Sequence, residues 1–406
     1  MLAPLLKAPL SAQGSAFARI RAFHPELTAF RRDLHAHPEL GFEELYTSGR
    51  VRQALELCGV DEIHCGMGKT GVVGLIHGKH KSDRMIGLRA DMDALPMAEH
   101  GEVAWKSQRP GLMHGCGHDG HTTMLVGAAR YLAETRHFAG TAVLIFQPGE
   151  EGFAGAKAMI DDGLFERFNC SEVYALHNSP ELPVGMLGVT PGPMQAAVDR
   201  FEITVEGRGG HGARPHQCVD SVLVAAHIIT AVQSVVSRNL SAFEEGVVSI
   251  CSMQGGHPGA MSVMPGSVTL VGTVRSYDSA VQDRIEQRLT QLCGSIAQGF
   301  DAKAHVDYQR VYPATINTVR EAGFAADAAA ALVGEDRVLR DMLPSMGGED
   351  FSFMLQARPG AYVRIGQQQA GGQPLHNSCY DFNDELLPLG SAFFAGLIER
   401  RLPLAA

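Results

Sequence analysis

Three short apolar segments, residues 85–88, 141–146 and 172–176, each run into residues that bind metals or move protons. Asp91 and Asp93 follow the first. Glu150 and Glu151 follow the second, past the turn Gln147-Pro148-Gly149, and His177 follows the third. Short apolar runs alternating with helical patterns are the signature of buried strands in an α/β sheet. In such open sheets the ligand crevice lies beyond the carboxyl ends of the strands. Three separate strands thus deliver ligand-type side chains to one edge, a register that mere surface polarity does not require.

The remaining pattern supports that frame. Residues 72–76 read as another strand. Met124, Leu125, Ala128, Ala129 and Leu132 recur at helical spacing within 122–135, and 154–164 reads as a second, shorter helix. The character then changes. Phe201, Ile203 and Val205 alternate, a long helical pattern covers about 219–240, and 247–252 and 267–276 are strands. Val281, Ile285, Leu289, Leu292 and Ile296 mark another helix before a strand at 304–310. The order β-α-β-β-α-β is that of a ferredoxin-like unit. The α/β pattern resumes with a helix at 319–333 and a strand at 361–365. The expected fold is α/β in two domains: a main domain with a mixed sheet from 1–194 and 313–406, and an inserted ferredoxin-like α+β domain at 195–312.

The chain's 406 residues exceed what one core usually serves. A net charge of −10 leaves no basic footprint, so no nucleic-acid partner is expected. The eight cysteines are scattered and form no CxxC pair, which fits reduced thiols in the cytoplasm. Residues 1–15 carry one charge, Lys7, and no sustained apolar core, so no signal peptide is expected. No apolar run approaches about 18 residues, so no membrane span is expected either.

The densest chemical signal is Met113-His114-Gly115-Cys116-Gly117-His118-Asp119-Gly120-His121. Thiolate and imidazole suit zinc and its neighbours, and the glycines permit the tight turns that aim such ligands inward. Taken alone, the cluster also fits a polar surface turn. The pair Glu150-Glu151 fits a solvated turn or an acidic first helical turn. It equally fits a division of labour in which one carboxylate binds metal and its neighbour takes a proton from activated water. His376, in Pro374-Leu375-His376-Asn377, gains interest because the α/β pattern has resumed there. In the inserted domain, residues 207–216 match neither a phosphate loop nor a dinucleotide fingerprint. His211, set between glycines, is the residue there best placed to reach a ligand.

These segments resemble the aminoacylase and carboxypeptidase family of binuclear metallopeptidases. They are most similar to its amidohydrolase branch, which holds hippurate hydrolases, N-acyl-amino-acid amidohydrolases and auxin–amino acid conjugate hydrolases. The matching stretches are RDLHAHPEL at 32–40, RADMDALP at 89–96, HGCGHDGH at 114–121, QPGEEG at 147–152, ALHN at 175–178, GHG at 210–212, GTVRS at 272–276, GEDF at 348–351 and LHN at 375–377. They are collinear from about residue 30 to 390.

The resemblance implies an enzyme with two divalent ions, zinc or manganese, with cobalt and nickel also admissible. It implies Cys116, His118, Glu151, His177 and His376 as metal ligands, Cys116 standing where other branches have a bridging carboxylate. His114, Asp119 and His121 are left in supporting roles. Glu150 takes the position of the general base, His211 that of the oxyanion-stabilising histidine given by a partner subunit, Arg275 that of the substrate-carboxylate ligand, and Asp93 that of a supporting acid. The implied reaction is hydrolysis of the amide bond of N-acyl-L-amino acids by a homodimer paired through the inserted lid domain. Two departures stand out: Ser262 where relatives carry Asn, and Gly347-Gly348-Glu349-Asp350 where they read Gly-Ser-Glu-Asp. Neither touches an implied metal ligand. Two other readings stay open. A di- or aminopeptidase of the same superfamily is opposed by Cys116, and a metal-binding homologue without catalysis is opposed by the retained Glu150.

Overall fold

The computed structural model describes residues 16–404, so the expectation for residues 1–15 lies outside the described residues. The chain divides into two units. The first comprises Met1–Met194, Ile316–Leu343 and Asp350–Ala406, the second Gln195–Thr315 and Pro344–Glu349. Residues 344–349, expected with the last part of the main domain, thus group with the second unit.

The first unit is built on an eight-stranded mixed sheet. Its order is Glu62–Met67, Gly71–His77, Ala139–Gln147, His80–Asp91, Glu172–Pro183, Gly360–Gln368, Leu187–Gly188, Val338–Leu339. The third to sixth of these run parallel. A parallel strand is covered on both faces and can be apolar throughout, and Gly140–Gln147 is buried without a break. Alternate residues serve opposite layers. Ile86, Leu88, Leu144, Tyr174 and Val363 join one core with the helices His118–Thr135 and Leu386–Arg401. Val143, Ile145, Val173 and Tyr362 join another with Gly155–Asp161 and Phe351–Ala357. Register then sets the edge: Asp91 pairs with Gln147, Arg89 with Ala175, and His177 with Arg364.

The helices that periodicity does not predict include His24–Ala36, Leu45–Cys58 and Leu386–Arg401. The last is buried on every side from Leu386 to Ala395 and so carries no amphipathic stripe. Small residues let it cross the His118–Thr135 helix closely. Ser391 Oγ donates to the Met124 carbonyl at 2.8 Å, and a Cβ at Gly127 would stand 2.3 Å from that oxygen. The helix expected at 154–164 is two pieces, Gly155–Asp161 and Leu164–Arg167, because Gly163 takes a left-handed φ of 89° between them.

The second unit is a four-stranded antiparallel sheet in the order Gly246–Gln254, Ser267–Ser276, Ala197–Glu206, Lys303–Tyr312. The helices Ser221–Asn239 and Ser279–Gly299 bury one face, through Val224, Ile228, Val232, Ile285 and Leu289, on Phe201, Ile203, Val205, Leu270 and Val274. Asp220 and Asp278 cap them, each accepting two backbone N–H groups. The element order is the ferredoxin-like one. Ser221–Asn239 is long and apolar enough, by length and composition, to cross a membrane, which the run-length argument did not foresee. Its Val224, Ala225, Ile228, Val232 and Val235 are spent on this unit's own core.

A buried ionic knot pins His24–Ala36 to the His118–Thr135 helix. Asp119 Oδ2 lies 2.8 Å from His35 Nδ1 and 3.4 Å from Arg31 Nη1. Burial alone would lower the His35 pKa, but the hydrogen bond and charge of Asp119 carry it up to about 9. A raised pKa stabilises the fold fully below the unfolded value near 6.5, and that contribution drains away as pH rises through about 9. His35→Gln is therefore expected to cost about 3 kcal/mol more near pH 6 than near pH 9.5 in urea unfolding. A pH-independent difference would show that the imidazolium charge is not what His35 contributes.

Candidate metal centre

The His-rich segment turns where Gly117, at φ 93°, hands over to the helix that begins with His118. A Cβ on Gly117 would stand 2.7 Å from both Asn178 Oδ1 and Tyr380 Oη, so conformation and space both demand glycine. Cys116 is thereby left just ahead of the helix, buried like His118.

Each buried imidazole is aimed by the bond its other nitrogen makes. His118 Nδ1 lies 3.2 Å from Asp93 Oδ1, which turns Nε2 toward Asp91 Oδ2 at 3.7 Å and Glu151 Oε1 at 4.0 Å. His177 Nδ1 lies 2.7 Å from the Asn178 carbonyl. A carbonyl only accepts, so the proton is on Nδ1, and the unprotonated Nε2 faces the Cys116 thiol, with Sγ at 3.6 Å. His376 Nε2 is 3.2 Å from Glu151 Oε1. Its backbone takes φ 61° and its N–H donates to the Gly115 carbonyl at 2.8 Å. A non-glycine residue held left-handed by its surroundings is a mark of functional segments.

The potential ligand atoms gather in overlapping groups, each within 4.8 Å: Cys116, Glu151 and His376; His118, Glu150 and Glu151; Asp91, His118, His121 and His177. His121 is otherwise engaged, with Nδ1 2.6 Å from Asp91 Oδ1 and Nε2 donating to Asn178 Oδ1 at 2.6 Å. The donors fit divalent cations. His118 Nε2 is buried without a hydrogen-bond partner, a costly condition for a polar atom. One thiol, one carboxylate and three imidazoles are a ligand set of the zinc type.

Proton affinities follow from burial and charge. Burial pushes the Cys116 thiol up, and the neighbouring Glu151 adds to the rise. Hydrogen bonds to Cys116 and Glu151 carry His376 up to about 10. His118 is held well above the ordinary value despite burial, chiefly by Asp91 and Cys116. His177 goes the other way, lowered by burial and by His121. Asp91 resists the upward push of burial because His118 and Arg89 hold it well below the carboxylate range.

The Glu150–Glu151 segment is no regular helical turn. Gly149, Gly152 and Ala154 have φ of 58°, 88° and 56°, and Glu151 has ψ of 71°. Glu150 is buried, so a solvated acidic turn does not describe the pair. Asp93 ties in here as well, its Oδ2 accepting the Glu151 N–H at 2.9 Å. Sequence reasoning gave no role to Arg89 and Asp350, although both lie in matching stretches. Arg89, buried in mid-strand, donates to Gln147 Oε1 and Asp91 Oδ2 at 2.8 Å each and to Asp350 Oδ1 at 3.1 Å. Asp350 Oδ2 accepts the Ala156 N–H at 2.9 Å. A cation inside the buried run 86–91 was the available signal.

His211 and Arg275 lie in the second unit. His211 is exposed on a two-residue strand paired with Val263–Met264. Its Nδ1 accepts the Ala213 N–H at 3.1 Å, which places the proton of a neutral ring on Nε2. The Ser262 carbonyl accepts the Gly212 N–H at 2.8 Å, so the departure from Asn sits in the same hairpin. Arg275 Nη1 bonds the Thr273 hydroxyl and the Val274 carbonyl.

Fold and site together define the class, an α/β metallohydrolase. The chain belongs to peptidase family M20/M25/M40, whose pattern matches residues 87–400. It is 41% identical over 377 residues to a hippurate hydrolase of Campylobacter jejuni, covering 93% of this chain and 97% of that protein. It is 37% identical over 378 residues to an N-acetylcysteine deacetylase of Bacillus subtilis, covering 93% and 97%. Among solved structures it is similar to the YXEP protein of Bacillus subtilis, a dinuclear metal binding peptidase of the M20 family. The TM-score is 0.81 at 34% identity, over 94% of this chain and 99% of that one. These relatives are hydrolases of amide bonds.

Because the ligands hold protons that a cation must displace, metal affinity is expected to rise with pH between about 6 and 9. Calorimetry in buffers of different ionisation enthalpy reads the released protons. Asp93→Ala is expected to weaken one ion by about 10–100-fold through loss of the His118 bond. Unchanged affinity would dissociate Asp93 from the site.

Proposed function

We propose that this chain hydrolyses the amide bond of N-acyl-L-amino acids, hippurate-like or N-acetyl, to a carboxylic acid and a free amino acid. The observation that carries this reading is the buried Glu150 within 4.8 Å of both His118 and Glu151. A site built only to hold metal has no use for a second buried carboxylate. In this reading Cys116, His118, Glu151, His177 and His376 hold two divalent ions. The thiol and imidazoles suit zinc, and the carboxylate admits manganese, cobalt or nickel. When bound, such a pair lowers the pKa of water toward neutrality and polarises a carbonyl.

The rest is done by the chain's own residues. Glu150 takes the proton of the attacking water and returns it to the leaving nitrogen. Asp93 keeps His118 in the tautomer that points Nε2 inward. The proton on His211 Nε2 is the donor for the developing oxyanion, and the guanidinium of Arg275 grips the substrate carboxylate. Among the described residues no carboxylate forms an ion pair with Arg275, whose Nη1 is held by the Thr273 hydroxyl and the Val274 carbonyl. A homodimer through the second unit accounts for the exposed Leu223, Met253, Met261 and Val263 and for the edge strand Gly246–Gln254. All eight cysteines are free, which supports a reducing compartment, the cytoplasm.

Glu150→Gln is expected to lower kcat by about 10²–10⁴-fold on N-benzoyl or N-acetyl amino acids while still binding two ions. Wild-type turnover by that variant would sink the mechanism. Free-amine dipeptides assayed alongside test the peptidase alternative, and a fully active monomer in sedimentation would count against the dimer.

A further inference from the structure

The stretch that opens the family resemblance, residues 32–40, leads into Gly41-Phe42-Glu43-Glu44, and the chemistry above uses none of it. In the structure this short segment lies against the turn that bears Glu150 and Glu151. A Cβ on Gly41 would stand 2.4 Å from Phe153 Cδ2 and 2.9 Å from Gly149 Cα. Phe42 takes a left-handed φ of 68°, and its ring meets Phe153 edge-on at 5.8 Å. Glu44 is completely buried. Its Oε1 accepts the Gly149 N–H at 2.8 Å and its Oε2 accepts the Thr70 hydroxyl at 2.5 Å.

We propose that Glu44 is a positioning residue for Glu150: its carboxylate holds the Gly149 amide and so sets the backbone from which Glu150 and Glu151 project. This rests on Glu150 as the general base. A buried carboxylate is expensive unless a cation or several donors hold it. Among the described residues no cation pairs with Glu44. Burial pushes its carboxyl up to about 7, and the like charge of Asp93 adds to the rise. A purely structural role would be served better by a neutral side chain. What the carboxylate supplies is a strong acceptor for one amide, and that amide immediately precedes the base. Gly149 takes a left-handed φ of 58°. Its carbonyl is fixed from the far side by the Gly155 N–H at 2.9 Å. Glu44 and Gly155 thus hold the two faces of the residue that aims Glu150. A general base misplaced by about 1 Å loses on the order of 10²-fold in rate.

The test compares Glu44→Leu, Glu44→Gln and Thr70→Val with wild type, each checked for two bound ions. Glu44→Leu is expected to lose about 10–100-fold in kcat with KM within about twofold. Glu44→Gln keeps an acceptor for Gly149 and is expected to recover most of that loss. In a Glu150→Gln background the Glu44→Leu change is expected to cost nothing further, because the group it positions is gone. Wild-type kcat in Glu44→Leu, an equal loss in Glu44→Gln, or an additive loss in the double variant would overturn the proposal. If Glu44→Leu does not fold, Thr70→Val decides: a kcat loss of about threefold or more at unchanged KM supports it, and unchanged kcat overturns it. Glu150→Gln alone separates the two readings. If that variant keeps its turnover, the assignment of the base has failed; if it is dead while Glu44→Leu is unimpaired, only this inference has.

Discussion

A guanidinium shut away from water holds this active site open. Arg89 sits inside a parallel strand, where an unpaired charge would cost several kcal/mol, and it is paid for by Asp91, Asp350 and Gln147. The pairing works in both directions. Two carboxylates brought together beyond the strand ends would repel and take up protons. With His118 and Arg89 beside it Asp91 stays an anion, and that anion in turn lifts His118 and engages His121. Asp350, held by the same cation, in turn receives the first turn of Gly155–Asp161. The loop between Gln147 and Gly155, with its two acids, is therefore strung between groups that Arg89 organises.

Around that frame the chain uses one device repeatedly. A side chain that is to face the centre has its opposite end tied down first: His118 by Asp93, His177 by the Asn178 carbonyl, His376 by its backbone on Gly115. Asp93 serves twice, because its second oxygen takes the Glu151 amide. The two histidines of the helix that starts at 118 show how finely this discriminates. His118 is bonded through one nitrogen and left with the other bare, whereas His121, one turn on, has both nitrogens occupied.

Much of this was legible in the sequence, and the parts that were not share a cause. Continuous apolar runs announced the parallel strands, and alternation announced the one-sided sheet of the second unit, because burial there follows the period of the backbone. Residues at strand ends could be assigned to one edge because parallel register forces it. The helix His24–Ala36 escaped notice because its buried face sets Arg31 and His35 among Leu27, Leu34 and Ala36, which breaks the apolar stripe. Leu386–Arg401 escaped for the opposite reason, being apolar on all sides. At the site, residue type and resemblance singled out the thiol, the imidazoles and the two acids. Nothing in residue type distinguished His118 from His121, or gave Arg89, Asp350 and Glu44 a role, since that depends on which partner each meets across the fold. The adjacent acids at 150 and 151 fitted a helical turn equally well until the backbone angles of Gly149, Gly152 and Ala154 excluded it.

The strand order carries a consequence for biosynthesis. Gly360–Gln368 lies between Glu172–Pro183 and Leu187–Gly188, yet it is made only after the whole of Gln195–Thr315. A nascent chain emerging from the ribosome must keep the edge of Glu172–Pro183 unfilled while the second unit is synthesised and folds. Throughout that interval Cys116, His118 and Glu151 wait without His376. The bare sheet edge is meanwhile the kind of surface that invites aggregation. Completion of the sheet and of the cluster of Cys116, Glu151 and His376 thus waits for the finished polypeptide.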